Sequence, residues 1–136
     1  MNSTENNKRP ESGVITQKIL RALKGDKSER MELIKSPHKL VRQAVLLNQK
    51  ITLDEIVLIS SYKTTETDIL VKISENNEWL KNYKIRYNLV TNSKTPVWIA
   101  LKLLPTINRK DIRNISKNRN VLYAVRTEAL KIGLKP

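Results

Sequence analysis

Arg109, Arg113 and Lys117 recur at i, i+4 and i+8, a spacing that puts three cations on one face of a helix. Lys110 and Arg119 fall within the same short stretch, and Lys81, Lys84, Arg86, Lys94 and Arg126 lie in the same C-terminal region. Residues 1–80 hold 13 Lys and Arg against 11 Asp and Glu, a net of +2. Residues 81–136 hold 13 against 2, a net of +11, which completes the +13 of the chain. Only Asp111 and Glu128 offset charge in that region. The chemistry such a field supports is recognition of polyanions, through neutralised phosphates and released counterions. Like charges at i, i+4 also cost an isolated helix some stability, which a polyanion relieves. The plainer reading of the same residues is a solvated lysine-rich surface, and the scarcity of acids argues against it. An anionic membrane surface would feel the same attraction, but no amphipathic helix free of the core is evident to exploit it.

Trp79, Tyr83 and Tyr87 also recur at i, i+4 and i+8, interleaved with Lys81, Lys84 and Arg86. Beside a phosphate track they would make a base-stacking platform, yet their period is that of a buried helical stripe, and in a chain without Phe the core is the expected place for them. Trp98 reads the same way, while Tyr62 and Tyr123 are open to either reading. Arg42 and Arg86 either project onto one surface or brace carbonyls at a helix end. Asn48, Asn76, Asn92 and Asn118 each precede a new apolar run and read as C-caps and turns rather than base-reading amides.

Catalytic constellations are sparse. The one histidine, His38, follows Pro37 at a helix start with no nucleophile or ligand set around it, and no cysteine offers a thiolate. Gly13, Gly25 and Gly133 are too scattered for a phosphate-binding loop. No catalytic residue, cofactor or metal is expected. A helical-repeat DNA glycosylase using an acid such as Asp111 and a Trp is an analogy of fold for which the chain is short. A helix-turn-helix over 53–74 has only spacing in its favour.

The elements that must position the cations follow from an apolar period of about 3.6 with almost no strand alternation. The stretch KIRYNLVTNSKTPVWIALKLLP, residues 84–105, holds an apolar helix, a tight turn and a second apolar helix. Asn92 sits where a helix needs a residue tolerant of the left-handed conformation, and Thr95-Pro96 supplies an N-cap hydroxyl with proline at the first helical position. The stretch VRQAVLLNQKITLDEI repeats this plan: Val41/Ile85, Arg42/Arg86, Val45/Leu89, Asn48/Asn92 and Lys50/Lys94 align at an offset of 44. Helical units at such a period are expected of repeat arrays. Gly25 ends a first helix, Asp26 and Glu29 have capping-box spacing, and Thr52 with Glu55 forms another such box. Glu78 to Thr91 reads as one long helix, Arg109 to Ser116 and Val121 to Ile132 as the last pair, about nine helices in all. Residues 1–12 read as a disordered polar tail and 13–136 as one helical-repeat domain, all-α, with no membrane span and a cytoplasmic location by default.

The motifs VRQAVLLNQKIT, KIRYNLVTNSKTP and ISKNRNVLYAVRTEA resemble variant leucine-rich and HEAT-like helical repeats. The chain from Ile15 to Ile132 is also similar to a family of short, basic bacterial proteins with a Leu-Lys-Gly-(Asn/Asp)-Lys segment, here Leu23 to Lys27, and an Arg-Asn-Val near the end, here Arg119 to Val121. Proline is missing after both corner asparagines, where Gln49 and Ser93 stand. The resemblance implies a short right-handed α-solenoid that binds partners and catalyses nothing. The partner expected from charge is nucleic-acid backbone, RNA or DNA, with an acidic protein as the alternative. The chain is expected to be a monomer or only weakly self-associating.

Overall fold

The computed structural model describes residues 13–136; the tail expected over residues 1–12 lies outside them. The chain is all-α: among the described residues there are ten α-helices, one 3-10 turn and no strand. Most helices are of one to three turns, too short to be stable alone in water, so each depends on packing its apolar face. The packing forms two compact units, Met1–Thr52 and Leu53–Pro136.

The first unit holds α1 (Ser3–Lys24, described from Gly13 onward), α2 (Lys27–Leu33) and α3 (Lys39–Val45). Helix α1 packs on α2 and α3, burying Ala22, Leu33, Val41 and Val45 between them. The expected capping box is present: Glu29 N–H donates to Asp26 Oδ1 at 2.9 Å, and Asp26 N–H donates back to Glu29 Oε1 at 3.4 Å. Gly25 ends α1 for a reason other than a left-handed φ, since no glycine has positive φ. A Cβ there would lie 2.4 Å from the Arg21 carbonyl oxygen, so only glycine lets the chain turn so tightly.

The second unit holds α4 (Leu53–Ser61), α5 (Thr67–Ser74), α6 (Asn77–Leu80), α7 (Tyr83–Thr91), α8 (Val97–Leu103), the 3-10 turn Leu104–Thr106, α9 (Arg109–Lys117) and α10 (Tyr123–Leu134). Helix α7 packs on α4 and α8, and α10 packs on α9 and α8. Ile56, Ile59, Ile69, Ile85, Leu89, Ile99, Ile112, Ile115 and Val125 are almost wholly buried. Each contributes about 1.5–3 kcal/mol of transfer free energy.

One corner recurs four times. At Asn48, Tyr62, Asn92 and Asn118 the carbonyl accepts the N–H of the residue three further on, at 3.0–3.2 Å. The helix before each corner starts nine residues earlier, at Lys39, Leu53, Tyr83 and Arg109, and the next starts five residues later, at Leu53, Thr67, Val97 and Tyr123. The 44-residue register of Asn48 and Asn92 is therefore exact in the helix starts, but it is not the period of the chain. Successive corners are spaced 14, 30 and 26 residues.

The corner also works differently from the sequence expectation. Asn92 is extended at φ −76 rather than left-handed, and among the described residues no non-glycine residue has positive φ. Its side chain does the turning: Asn92 Oδ1 accepts Lys94 N–H at 3.0 Å, while Nδ2 donates to the carbonyls of Ser60 and Tyr62 at 3.0 Å each. Asn48 repeats this with Lys50 N–H at 2.9 Å and the carbonyls of Ala22 and Gly25 at 2.9 and 3.1 Å. Helix α8 begins one residue later than expected, with Pro96 rather than Thr95 as its N-cap. The Thr95 hydroxyl is buried without a hydrogen-bond partner, whereas Thr65 at the same corner position donates to the Ile59 carbonyl at 2.6 Å. Asn76 caps the start of α6 by accepting Trp79 N–H at 3.0 Å.

The expected long helix from Glu78 to Thr91 is broken at Lys81–Asn82 into α6 and α7. Asn82 caps α7 by accepting Ile85 N–H at 3.3 Å, and that competing bond stops the helix. Trp79 consequently stands on a different helix from Tyr83 and Tyr87, and all three are half-buried rather than core. Trp98, also expected in the core, is 64% exposed on α8.

Candidate nucleic-acid interface

Helix α9 divides sharply. Ile112 and Ile115 are buried, while Arg109, Lys110, Arg113, Asn114 and Lys117 are exposed, with Arg119 exposed on the corner that follows. The i, i+4, i+8 row predicted from the sequence thus faces solvent. Among the described residues no carboxylate lies within ion-pair distance of these cations. Arg109 donates through Nη2 to the Lys135 carbonyl at 2.6 Å, at the C-terminal end of α10, where a helix dipole favours positive charge. A Cβ at Gly133 would lie 3.8 Å from Arg113 Cγ, so the end of α10 runs beside the row. Lys131 and Lys135, which charge counting did not single out, are exposed on that end and extend the basic surface.

The other predicted cations divide into open and engaged. Lys84 and Lys94 are exposed; Lys81 is exposed but pairs with Glu78 at 3.1 Å. Arg86 is half-buried, donating through Nη1 to the carbonyls of Leu80 and Lys81 at 2.8 and 3.2 Å and through Nε to Thr106 Oγ1 at 3.2 Å. Arg42 makes the matching contacts one repeat earlier, with the carbonyls of Ser36 and Pro37 at 3.4 and 3.0 Å. Both guanidiniums therefore brace the end of the preceding segment, the second of the two expected readings. Arg126 is half-buried over the Tyr123 ring, 5.5 Å from its centroid.

Asp111 belongs to a structural network. The Tyr83 hydroxyl donates to Asp111 Oδ2 and accepts Asn108 N–H at 3.3 Å, tying the start of α7 to the start of α9. Burial first, and then the hydrogen bond to Asp111, push the Tyr83 phenol above its ordinary pKa of 10.0. The Arg86 guanidinium lies 5.4 Å from the Tyr83 ring centroid, completing the cluster. His38 stands at the N-cap of α3 without a side-chain capping bond. Among the described residues no group of three or more His, Cys, Asp or Glu is arranged to hold a metal, and no helix is long and apolar enough to cross a membrane.

Three corners of the second unit meet around a polar cleft of about 210 Å³, lined by Ser61, Lys63, Tyr87, Asn88, Asn118 and Asn120 among others. The Asn88 amide is engaged by the Val57 carbonyl at 2.9 Å and by Ser60 Oγ at 3.2 Å. Asn118 Oδ1 accepts Asn120 N–H at 2.9 Å, as in the other asparagine corners, but its Nδ2 has no acceptor among the described residues and Asn118 is exposed. The two most exposed aromatics of the unit, Trp98 and Tyr123 at 64 and 74%, stand at the starts of the helices leaving the corners at Asn92 and Asn118. Their spacing alone does not reveal this, because an aromatic in the first turn of a helix is equally compatible with a core position. Compared with protein-family models, with curated protein sequences and with solved structures, the chain matches none.

Proposed function

We propose that this chain is a non-catalytic helical-repeat binding module whose C-terminal basic surface holds the phosphate backbone of nucleic acid without strong sequence preference. The observation that carries the reading is α9: its solvent face presents Arg109, Lys110, Arg113 and Lys117 with no carboxylate within ion-pair distance among the described residues, continued by Arg119. Lys84, Lys94, Lys131 and Lys135 enlarge the same positive field. Lysine and arginine side chains that meet solvent on one helix face suit phosphates because such contacts need charge and reach rather than a fixed donor pattern. The recurring corner supports a scaffold of stacked short helices, as the expected α-solenoid would be, and Arg42, Arg86, Asn48 and Asn92 serve that scaffold rather than the ligand.

The test is anisotropy of a labelled duplex DNA and a labelled structured RNA at about 50 and about 200 mM salt, with the wild type and the combined Arg109→Glu, Arg113→Glu, Lys117→Glu variant. The expected slope of log affinity against log salt is about −0.9 per phosphate contacted for duplex DNA, and the charge-reversed variant loses binding while keeping its helicity. Binding no tighter than that of a basic control protein at the higher salt overturns the reading and favours the acidic protein partner.

A further inference from the structure

We propose that Trp98 and Tyr123 are stacking platforms for unpaired bases, with Lys94 and Arg119 meeting the adjoining phosphates, so that the ligand of this surface is single-stranded nucleic acid. The proposal rests on the nucleic-acid reading above and narrows its ligand. A tryptophan 64% exposed and a tyrosine 74% exposed are costly to leave in water without a use, since large aromatics carry the greatest apolar area of any side chain. Each stands four residues after an exposed cation: Lys94 precedes Trp98, and Arg119 precedes Tyr123. Both pairs belong to the same structural unit, a corner and the first turn of the helix that leaves it, shifted by one residue between the copies.

The fold brings together the two corners from which these pairs extend. The corners at Asn92 and Asn118 line the same polar cleft, and the helices that leave them, α8 and α10, pack against each other. Packed helices lie about 8–10 Å apart, a gap that a few nucleotides cross. Each ring is also supported. Trp98 borders a mixed cleft of about 270 Å³, with Leu80, Ile99 and Leu103 on its apolar side and Ser74, Glu75, Asn77 and Lys102 on its polar side, and Arg126 lies 5.5 Å from the Tyr123 ring centroid, leaving the other ring face for a base. In the cleft shared by the two corners, the exposed side chains of Asn118, whose Nδ2 has no acceptor among the described residues, and of Asn120 can meet base edges. Paired bases hide their faces inside the duplex, so exposed rings discriminate in favour of single strands, and because every base has a π-face the preference is not for sequence. The surrounding charge selects this occupant over an apolar peptide: residues 81–136 carry 13 Lys and Arg against 2 Asp and Glu.

The test uses the full chain with Trp79→Phe, so that fluorescence reports Trp98 alone, titrated with oligothymidylate, with oligouridylate and with a duplex of equal length. Quenching by both single strands is expected. In anisotropy, Trp98→Ala and Tyr123→Ala should each weaken single-strand binding about 5- to 150-fold, the equivalent of 1–3 kcal/mol per stacked base, while duplex affinity stays unchanged. Trp98→Phe should restore most of the loss. Both side chains are exposed, so unaltered circular dichroism separates lost stacking from misfolding. If wild type binds duplex and single strand alike and the double alanine variant changes neither, the stacking proposal is overturned while the backbone reading stands. If no nucleic acid binds and charge reversal on α9 has no effect, both fall.

Discussion

Asn92→Ala is the sharpest test of the corner as the joint of this fold. The residue is 8% exposed and its side chain makes three hydrogen bonds to backbone groups of two segments: it donates to Ser60 and Tyr62 and accepts from Lys94, all at 3.0 Å. Each such bond contributes about 0.5–1.5 kcal/mol net, and a buried backbone group left unpaired costs about 1–3 kcal/mol. The bond to Ser60 is fully buried, and those to Tyr62 and Lys94 can be partly replaced by water. The expected loss is about 2–4 kcal/mol, read as a shift in the urea midpoint followed by far-ultraviolet circular dichroism. Asn118→Ala is the internal control. It removes one exposed bond, to Asn120 N–H, and no amide donation, so less than about 1 kcal/mol should be lost. Asn92→Asp should be at least as damaging as alanine, because it keeps the acceptor for Lys94 but sets a carboxylate against two carbonyl oxygens. If Asn92→Ala costs no more than Asn118→Ala, the amide is not what fastens α7 to the end of α4.

Gly25→Ala should destabilise by about 1–3 kcal/mol in thermal unfolding, since the added Cβ would lie 2.4 Å from the Arg21 oxygen and 2.9 Å from Glu29 Cβ. Arg86→Lys should cost about 1–3 kcal/mol in the same assay, because an ammonium cannot hold two carbonyls and the Thr106 hydroxyl in the planar fork of a guanidinium. Tyr83 has a raised folded pKa, so its contribution is complete below the unfolded value near 10 and is lost as pH rises through the folded one. Alkaline urea midpoints should therefore fall above about pH 10, and Tyr83→Phe should remove that Tyr83-linked part of the fall.

Much of this architecture was legible from residue types. The helix after Asn108, the capping box at Asp26 and the match of Asn48 with Asn92 rest on local rules that the surrounding fold does not override. The solvent row on α9 was legible because charge and an apolar stripe of Ile112 and Ile115 shared one helix. What stayed hidden depended on competition and context. The apolar and aromatic period across Glu78–Thr91 masked the break at Asn82, because the cap bond that makes it uses one unremarkable asparagine. The exposure of Trp98 and Tyr123 depends on which helices pack beside α8 and α10, information that spacing does not carry. The corner at Tyr62 escaped notice because it lacks the asparagine, its turn being held by the Thr65 hydroxyl.

The constant spacing around the four corners, set against variable spacing between them, sorts the chain into places where length can and cannot change. A residue added within α4 would shift two corners at once, because α4 ends one module and begins the next. A residue added between Glu75 and Asn82, or between Leu104 and Asn108, falls outside every helix-corner-helix module. Lineages carrying this fold should therefore accumulate insertions and deletions in those two connectors while keeping the nine- and five-residue intervals intact, so corner spacing would persist as a signature after residue identity has drifted away.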